Sequence, residues 1–258
     1  MSSLLLRNST ALIALCLSFP ALAQEPAEAD AQSGIIVTAT RAPTPLEQIP
    51  ASITVLDKAA IDRAQDIGVT ELLLRTPGIS ISRNGGYGTA TSLRIRGAET
   101  DQTVVVIDGV KLNDPSSTGG GYNFANLLIG DAERIELLRG PQSTLWGSQA
   151  IGGVVNIVTA QPDAPLEGSF DIEGGSRDTV SARAALGGVS GPLSWRIGGQ
   201  SFTTDGISAI APAFGGGEAD GYTNRNVAGR AELALSANAS IDLRGYYSTG
   251  RVEIDGFS

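Results

Sequence analysis

Arg139-Gly140-Pro141-Gln142-Ser143-Thr144-Leu145-Trp146-Gly147-Ser148-Gln149-Ala150-Ile151-Gly152-Gly153-Val154-Val155-Asn156-Ile157-Val158-Thr159 decides the reading of this chain. It divides into a tight turn, a short polar segment, a paired-glycine turn and an apolar β-run. Gly140, Gly147, Gly152 and Gly153 mark sharp reversals, because glycine accepts φ > 0 and lets backbones approach closely. Val154 to Val158 then reads as a strand buried on both faces.

Working outward, Asp131-Ala132-Glu133-Arg134-Ile135-Glu136-Leu137-Leu138 leads into this stretch and supplies a strand over Arg134 to Leu138. Upstream, Ser52 to Leu56, Ile79 to Arg83, Ser92 to Arg96 and Thr103 to Ile107 also read as strands. Asp108-Gly109, between Val104-Val105-Val106-Ile107 and Val110-Lys111-Leu112, is a hairpin signal. Asp57 can cap a short helix through Gln65, and Thr70 a second over Glu71 to Arg75. Thr76-Pro77-Gly78 ends the second helix. Pro50 to Thr159 is therefore a mixed α+β segment.

From Leu166 the texture becomes period-2 alternation. Phe170 and Ile172 alternate with Asp171 and Glu173; Val180, Ala182, Ala184 and Leu186 with Ser181 and Arg183; Leu193, Trp195 and Ile197 with Ser194 and Arg196. Val227, Ala231, Leu233 and Leu235 follow, and then Ile241, Leu243 and Tyr247. About five strands, apolar outward and polar inward, fit a transmembrane β-barrel. A soluble antiparallel sandwich alternates in the same way, so the pattern alone leaves both open.

The first residues have the three parts of an export signal: Arg7, the apolar run Ala11 to Phe19, and Ala21-Leu22-Ala23 before Gln24. Cleavage there removes Cys16, the only cysteine, and with it any disulfide, thiolate metal site or Cys nucleophile. Gln24 to Gly34 is an acidic, small-residue leader. Ile35-Ile36-Val37-Thr38-Ala39-Thr40-Arg41 is a β-prone run with polar flanks. It reads equally as an edge strand or as a strand donated to another protein.

Composition narrows the function. The 258 residues contain no His, and aromatic residues are only 5%, low for a packed globular enzyme. A net charge of −9 argues against nucleic acid as a partner. No phosphate-binding GxxxxGK[ST] loop is present. Gly86-Tyr87-Gly88-Thr89-Ala90-Thr91 lacks the last glycine of a dinucleotide fingerprint. A Ser-His-Asp triad is impossible without histidine. Asp131 and Glu133 lie in a charge-rich approach to a strand, which suits solvated or ion-paired roles. The chain is expected to be no enzyme and to need no cofactor.

The stretch 139–159 resembles the last part of the plug domain of TonB-dependent outer-membrane receptors. Leu72-Leu73-Leu74-Arg75-Thr76-Pro77-Gly78-Ile79, Leu93-Arg94-Ile95-Arg96-Gly97 and Val106-Ile107-Asp108-Gly109-Val110 resemble plug motifs in plug order. The resemblance implies a signal peptide over residues 1–23 and a leader with a TonB box over 24–44. A plug over 45–160 follows, then the first part of a barrel over 165–258. Plugged transporters use about 22 strands, so about five cannot close, and the chain reads as the N-terminal part of a longer receptor.

The resemblance also implies roles. Ile35, Ile36, Val37, Thr38, Ala39 and Thr40 stand at the TonB box, the strand gripped by the periplasmic energy transducer TonB. Arg96 and Arg139, each beside a glycine at a strand end, would pair with acids on the barrel wall. Among these receptors the chain is most similar to the cobalamin (vitamin B12) branch. Asn113, Asp114, Ser116, Ser117 and Tyr122 would form a substrate-facing plug loop. Glu218 and Asp220, with Asp255 from the next loop, would hold a structural Ca²⁺ through hard oxygen ligands. The implied activity is energised uptake across the bacterial outer membrane, with lipid around the barrel. Cobalamin is the expected ligand and a ferric siderophore the runner-up; a truncated, non-transporting plug protein is the reading of a different class.

Overall fold

The computed structural model describes residues 36–114, 119–210 and 218–254. Two antiparallel residue pairs open it: β1 (Ile36–Val37) lies against β2 (Thr44–Pro45). The α+β unit then runs β3 (Ser52–Asp57), α1 (Lys58–Ala64), α2 (Val69–Leu74), β4 (Ile79–Arg83), β5 (Thr91–Ile95), β6 (Thr103–Ile107) and β7 (Val110–Leu112). It ends with β8 (Ala132–Arg139), α3 (Ser143–Trp146) and β9 (Gly153–Thr159).

Its main sheet has the order β3-β8-β9-β6-β7, with β9 at the centre, antiparallel to β8 and parallel to β6. Val154, Val155, Ile157 and Val158 are all buried, as a continuous apolar run requires of a strand covered on both faces. One face packs on Ile61, Leu72, Leu73, Leu93, Ile95 and Phe124. The other packs on Ala39, Leu46, Ile49 and Trp146. Asp108 (φ 48°) and Gly109 (φ 85°) make the left-handed pair that a two-residue hairpin between β6 and β7 needs.

The two helices start differently. Asp57 caps α1, its Oδ1 accepting the Ala60 N–H at 2.8 Å. Thr70 does not cap α2, which begins at Val69, directly after Gly68 in extended geometry. Thr70 lies inside the helix, and its hydroxyl donates to Glu71 Oε2 at 2.9 Å instead. The Arg83 guanidinium, which also grips Glu71, holds that pair in place, so a tertiary contact displaces the local cap.

The remaining strands form one meander: β10 (Glu167–Gly175), β11 (Thr179–Ser190), β12 (Leu193–Thr204), β13 (Tyr222–Ser236) and β14 (Ala239–Val252), each antiparallel to the next. One face is apolar and open, with Phe170 at 69% and Leu243 at 67% exposure. The opposite face buries Ser181, Gln200, Asn224 and Asn226 against the α+β unit. Apolar out and polar in is the reverse of a soluble sandwich and the arrangement of a membrane barrel wall. No helix among the described residues is long and apolar enough to cross a membrane. The β11–β12 and β13–β14 turns take two residues each and share one rim. Residues 205–221 connect β12 to β13 on the other rim, the asymmetry that outer-membrane barrels show.

Candidate functional site

The N-terminal segment is seated on the main sheet at the short-turn rim. Glu136, on β8, is fully buried. Its carboxylate accepts the Thr38 N–H at 3.0 and 3.1 Å and the Ala39 N–H at 2.7 Å. Asn156 on β9 donates to the same carboxylate at 2.8 Å and to Thr38 Oγ1 at 3.1 Å. Arg134, two residues along β8 and so on the same face, donates from Nε at 2.7 Å. Trp146 Nε1 donates to the Ala39 carbonyl at 2.7 Å, and the Arg41 guanidinium lies 4.4 Å from the Trp146 ring centroid. Arg41, Pro43, Trp146, Arg134, Arg230 and Arg244 border a cleft of about 520 Å³ between this segment and the strand wall.

A polar seam and an aromatic seam join the α+β unit to the wall. Asp131 receives Arg196 of β12, and the Gly130 N–H donates to Gln200 Oε1 at 2.8 Å. Toward the long-loop rim, Tyr87 meets Phe202 edge-on at 5.2 Å and stacks on Tyr222 at 6.3 Å. Tyr222 Oη donates to Asn126 Oδ1 at 2.8 Å. Sequence reasoning assigns neither the Asp131–Arg196 pair nor the Tyr87 clasp. The inward parity of Arg196 on its strand is the only local signal.

Arg139 and Arg96 come together near Gly78. Arg139 is buried, donates to Thr54 Oγ1 at 2.8 Å and Ser52 Oγ at 3.4 Å, and leaves Nε without a partner. Burial, and then the Arg96 charge, lower its pKa. Among the described residues neither arginine pairs with a carboxylate.

The other expected site residues are dispersed. Asn113 is exposed and Asp114 half-buried, while Ser116 and Ser117 lie outside the described residues. Tyr122 faces inward: its ring packs edge-on against Phe124 at 5.4 Å, and burial, then Tyr246, push its phenol pKa up. Glu218 is exposed. Asp220 is buried, with Oδ2 accepting the Ala209 N–H at 2.7 Å and Oδ1 unpartnered. Asp255 and Ile35 lie outside the described residues. The described residues contain no group of three His, Cys, Asp or Glu able to hold a metal.

Residues 45–154 match the TonB-dependent receptor plug domain. These residues are a domain of that family, and β10 to β14 follow it as an open antiparallel wall. The chain is 33% identical over 248 residues to the vitamin B12 transporter BtuB of Photobacterium profundum, covering 96% of this chain and 40% of that protein. It is 37% identical over 151 residues to BtuB of Vibrio vulnificus, covering 58% of this chain and 24% of that protein. The chain thus spans less than half the length of these relatives.

Among solved structures, P. aeruginosa FpvA bound to a heterologous ferric pyoverdine superposes with TM-score 0.69 at 20% identity. The match covers 85% of this chain and 28% of that one. The siderophore receptor PirA from Pseudomonas aeruginosa superposes with TM-score 0.55 at 26% identity, covering 79% and 36%. The plug therefore lies where a receptor plug belongs, against the inner face of barrel strands. The family is one of transporters and receptors rather than enzymes.

Proposed function

We propose that this chain is the plug and first barrel strands of an energised outer-membrane importer for cobalamin. Residues 1–23 would direct export, residues 24–44 carry the TonB box, and the plug gates a barrel completed by further strands. The observation that carries the importer reading is the seating of residues 38–41 on the plug sheet. A chain end that is only a tether has no need of a carboxylate, an amide and an indole to hold it. TonB would take residues 35–40 as an added strand. The unpaired charges of Arg96 and Arg139 call for carboxylates from wall strands opposite β10 to β14. The B12 assignment rests on the relatives at 33% and 37% identity; PirA at 26% supports a ferric siderophore as the second reading.

The test is Val37→Pro in the full-length receptor. Proline removes an N–H and disfavours strand pairing. Uptake of radiolabelled cobalamin should be lost while surface binding is retained. Uptake at the wild-type rate in that variant would refute the box.

A further inference from the structure

Resting on the reading of β10 to β14 as an outer-membrane barrel wall, we propose that Arg225 and Arg251 form a clamp for the phosphate of a lipid in the outer leaflet. Strand register sets out the lipid-facing side of this wall in rows across β12, β13 and β14. Leu193, Leu233 and Ile241 stand opposite one another, then Trp195, Ala231 and Leu243. Gly199, Val227 and Tyr247 make the last apolar row. The two rows beyond change character: Ser201, Arg225 and Thr249, then Thr203, Thr223 and Arg251. The change lies toward the rim of residues 205–221, and in outer-membrane barrels the long connections are on the outer side. From Leu235 back to Val227 the strand covers about 27 Å at about 3.4 Å per residue. At barrel tilt that is about 20 Å of height, close to the apolar band that spans hydrocarbon. Tyr247, 65% exposed, stands at the outer border of the band, where aromatic girdles lie. Arg225 and Arg251 therefore sit at headgroup level.

Their lack of partners sets them apart. The inward arginines of the wall, Arg183, Arg196, Arg230 and Arg244, are each ion-paired within the protein. Arg225 and Arg251 face outward and are exposed, and among the described residues neither pairs with a carboxylate. Glu253, two residues past Arg251, is turned toward Gly221, where a Cβ would stand 2.9 Å from its carboxylate oxygen. The two arginines are diagonal neighbours, since Arg225 is opposite Thr249 and Arg251 opposite Thr223. Such positions are roughly 7–8 Å apart, within reach of one another for long side chains. Like charges this close repel, most of all at the edge of a low-dielectric slab, unless an anion lies between them. Guanidinium forks match phosphate oxygens, and the Thr223 and Thr249 hydroxyls add donors beside them. A lipid phosphate held there lays its acyl chains along Val227, Tyr247 and Leu243, all exposed. A free phosphate ion uses only the arginines; a phosphorylated lipid uses the arginines and the apolar rows below them.

The experiment titrates the full-length receptor in detergent with diphosphorylated lipid A and with the same lipid after dephosphorylation, counting bound lipid by native mass spectrometry. Wild type should bind the phosphorylated lipid about tenfold more tightly. Arg225→Gln combined with Arg251→Gln should abolish that preference. Arg177→Gln removes a charge from the β10–β11 turn on the same rim and should leave the preference unchanged. Equal affinity of wild type for the two lipids, or an equal loss of preference with Arg177→Gln, overturns the clamp. Inorganic phosphate at the same concentration should not displace the lipid; displacement assigns the site to a free anion and overturns the lipid. Insertion of the same receptor into vesicles, read as heat-modifiable mobility, tests the underlying reading by itself. Failure to insert removes the barrel wall and the clamp with it, whereas an inserted receptor without a phosphate preference removes only the clamp.

Discussion

Asp131 of the plug and Arg196 of the barrel wall are joined by a two-bond ion pair. Arg196 reaches the Asp131 carboxylate through Nε and, at 2.9 Å, through Nη2, while its Nη1 donates to Glu167 at 2.8 Å. Both side chains of the pair are only 10% exposed. Gly198, two residues on and facing the same way, leaves the room: a Cβ there would stand 2.8 Å from that of Asp131. The planar guanidinium thereby fixes the plug to the wall close to the point where the chain passes from one to the other.

Breaking this pair from one side leaves a dehydrated charge. Arg196→Ala should cost about 3 kcal/mol of plug docking, since removing one partner of a buried pair is strongly destabilising. Chemical denaturation of the full-length receptor, followed by protease sensitivity of the plug, measures it. The double variant with Asp131→Ala should cost less than the sum of the singles. Strict additivity would mean that the pair does not hold the plug.

The paired glycines before β9 are fixed by sterics. A Cβ at Gly153 would overlap the Leu138 carbonyl oxygen and stand 2.8 Å from Ile95 Cδ1. A neighbouring backbone carbonyl cannot swing aside as a side chain can. Gly153→Ala should therefore cost the plug about 1–3 kcal/mol. Gly147→Ala has open space around its Cβ and carries only the strain of φ 87°. Melting of the isolated plug, roughly residues 45–160, ranks the two; equal losses would show that the close packing behind β9 is not the constraint.

What is legible in the sequence follows the range of the interaction. β9 is readable because a strand buried on both faces writes an unbroken apolar run, and the β6–β7 hairpin because Asp108-Gly109 carries its own geometry. The wall strands are readable from period-2 alternation, which their neighbours share. The helix start at Gly68 is not, because Arg83, distant in sequence, draws Thr70 and Glu71 together. The glycine-rich surroundings of Tyr122 look like a substrate-facing loop, yet Phe124 seats its ring inward. The hold of Glu136 on Thr38 spans 98 residues, and nothing in either local pattern reports it. A glutamate set between Ile135 and Leu137, aligned with Asn156 across the β8–β9 pair, is the only trace.

Asp66 makes the plug's stability depend on pH. Burial raises its pKa above the ordinary carboxylate value, outweighing the opposing pull of Arg75 at 2.9 Å, and Oδ2 has no partner. A carboxyl with a raised folded pKa contributes stability below its unfolded pKa and loses it as pH rises through the folded value. Asp66→Asn should thus melt higher than wild type at pH 7, with the gap closing below about pH 4. Thermal melts of the isolated plug across that range check it; a gap independent of pH would refute the desolvation account.

Among the described residues the five-stranded wall has its edges on β10 and β14. In lipid, each unsatisfied edge N–H or C=O costs several kcal/mol. The polypeptide 24–258 should therefore fail to insert as a monomeric, heat-modifiable pore, while the plug alone stays soluble. Gel mobility before and after heating, in reconstituted vesicles, decides this. A heat-modifiable inserted monomer would overturn it.

The ligand prediction turns on Asp220. Its Oδ1 is buried and unpartnered beside a connection that reaches the long-loop rim, and such an oxygen suits a hard cation. Glu218, two residues away in sequence and exposed, is the second expected ligand; the third, Asp255, lies outside the described residues. Ca²⁺ would cancel the mutual repulsion of these carboxylates before ligand arrives. Charges already balanced by Ca²⁺ cost less to bury on capture, so affinity should rise with calcium. Cobalamin binding to the full-length receptor is measured with Ca²⁺, with chelator, and for Asp220→Ala. The expected result is tighter binding with Ca²⁺ and loss of that gain in Asp220→Ala. Tight cobalamin binding indifferent to both would remove the metal site and keep the ligand. No cobalamin binding, with tight binding of a ferric siderophore, would replace the ligand.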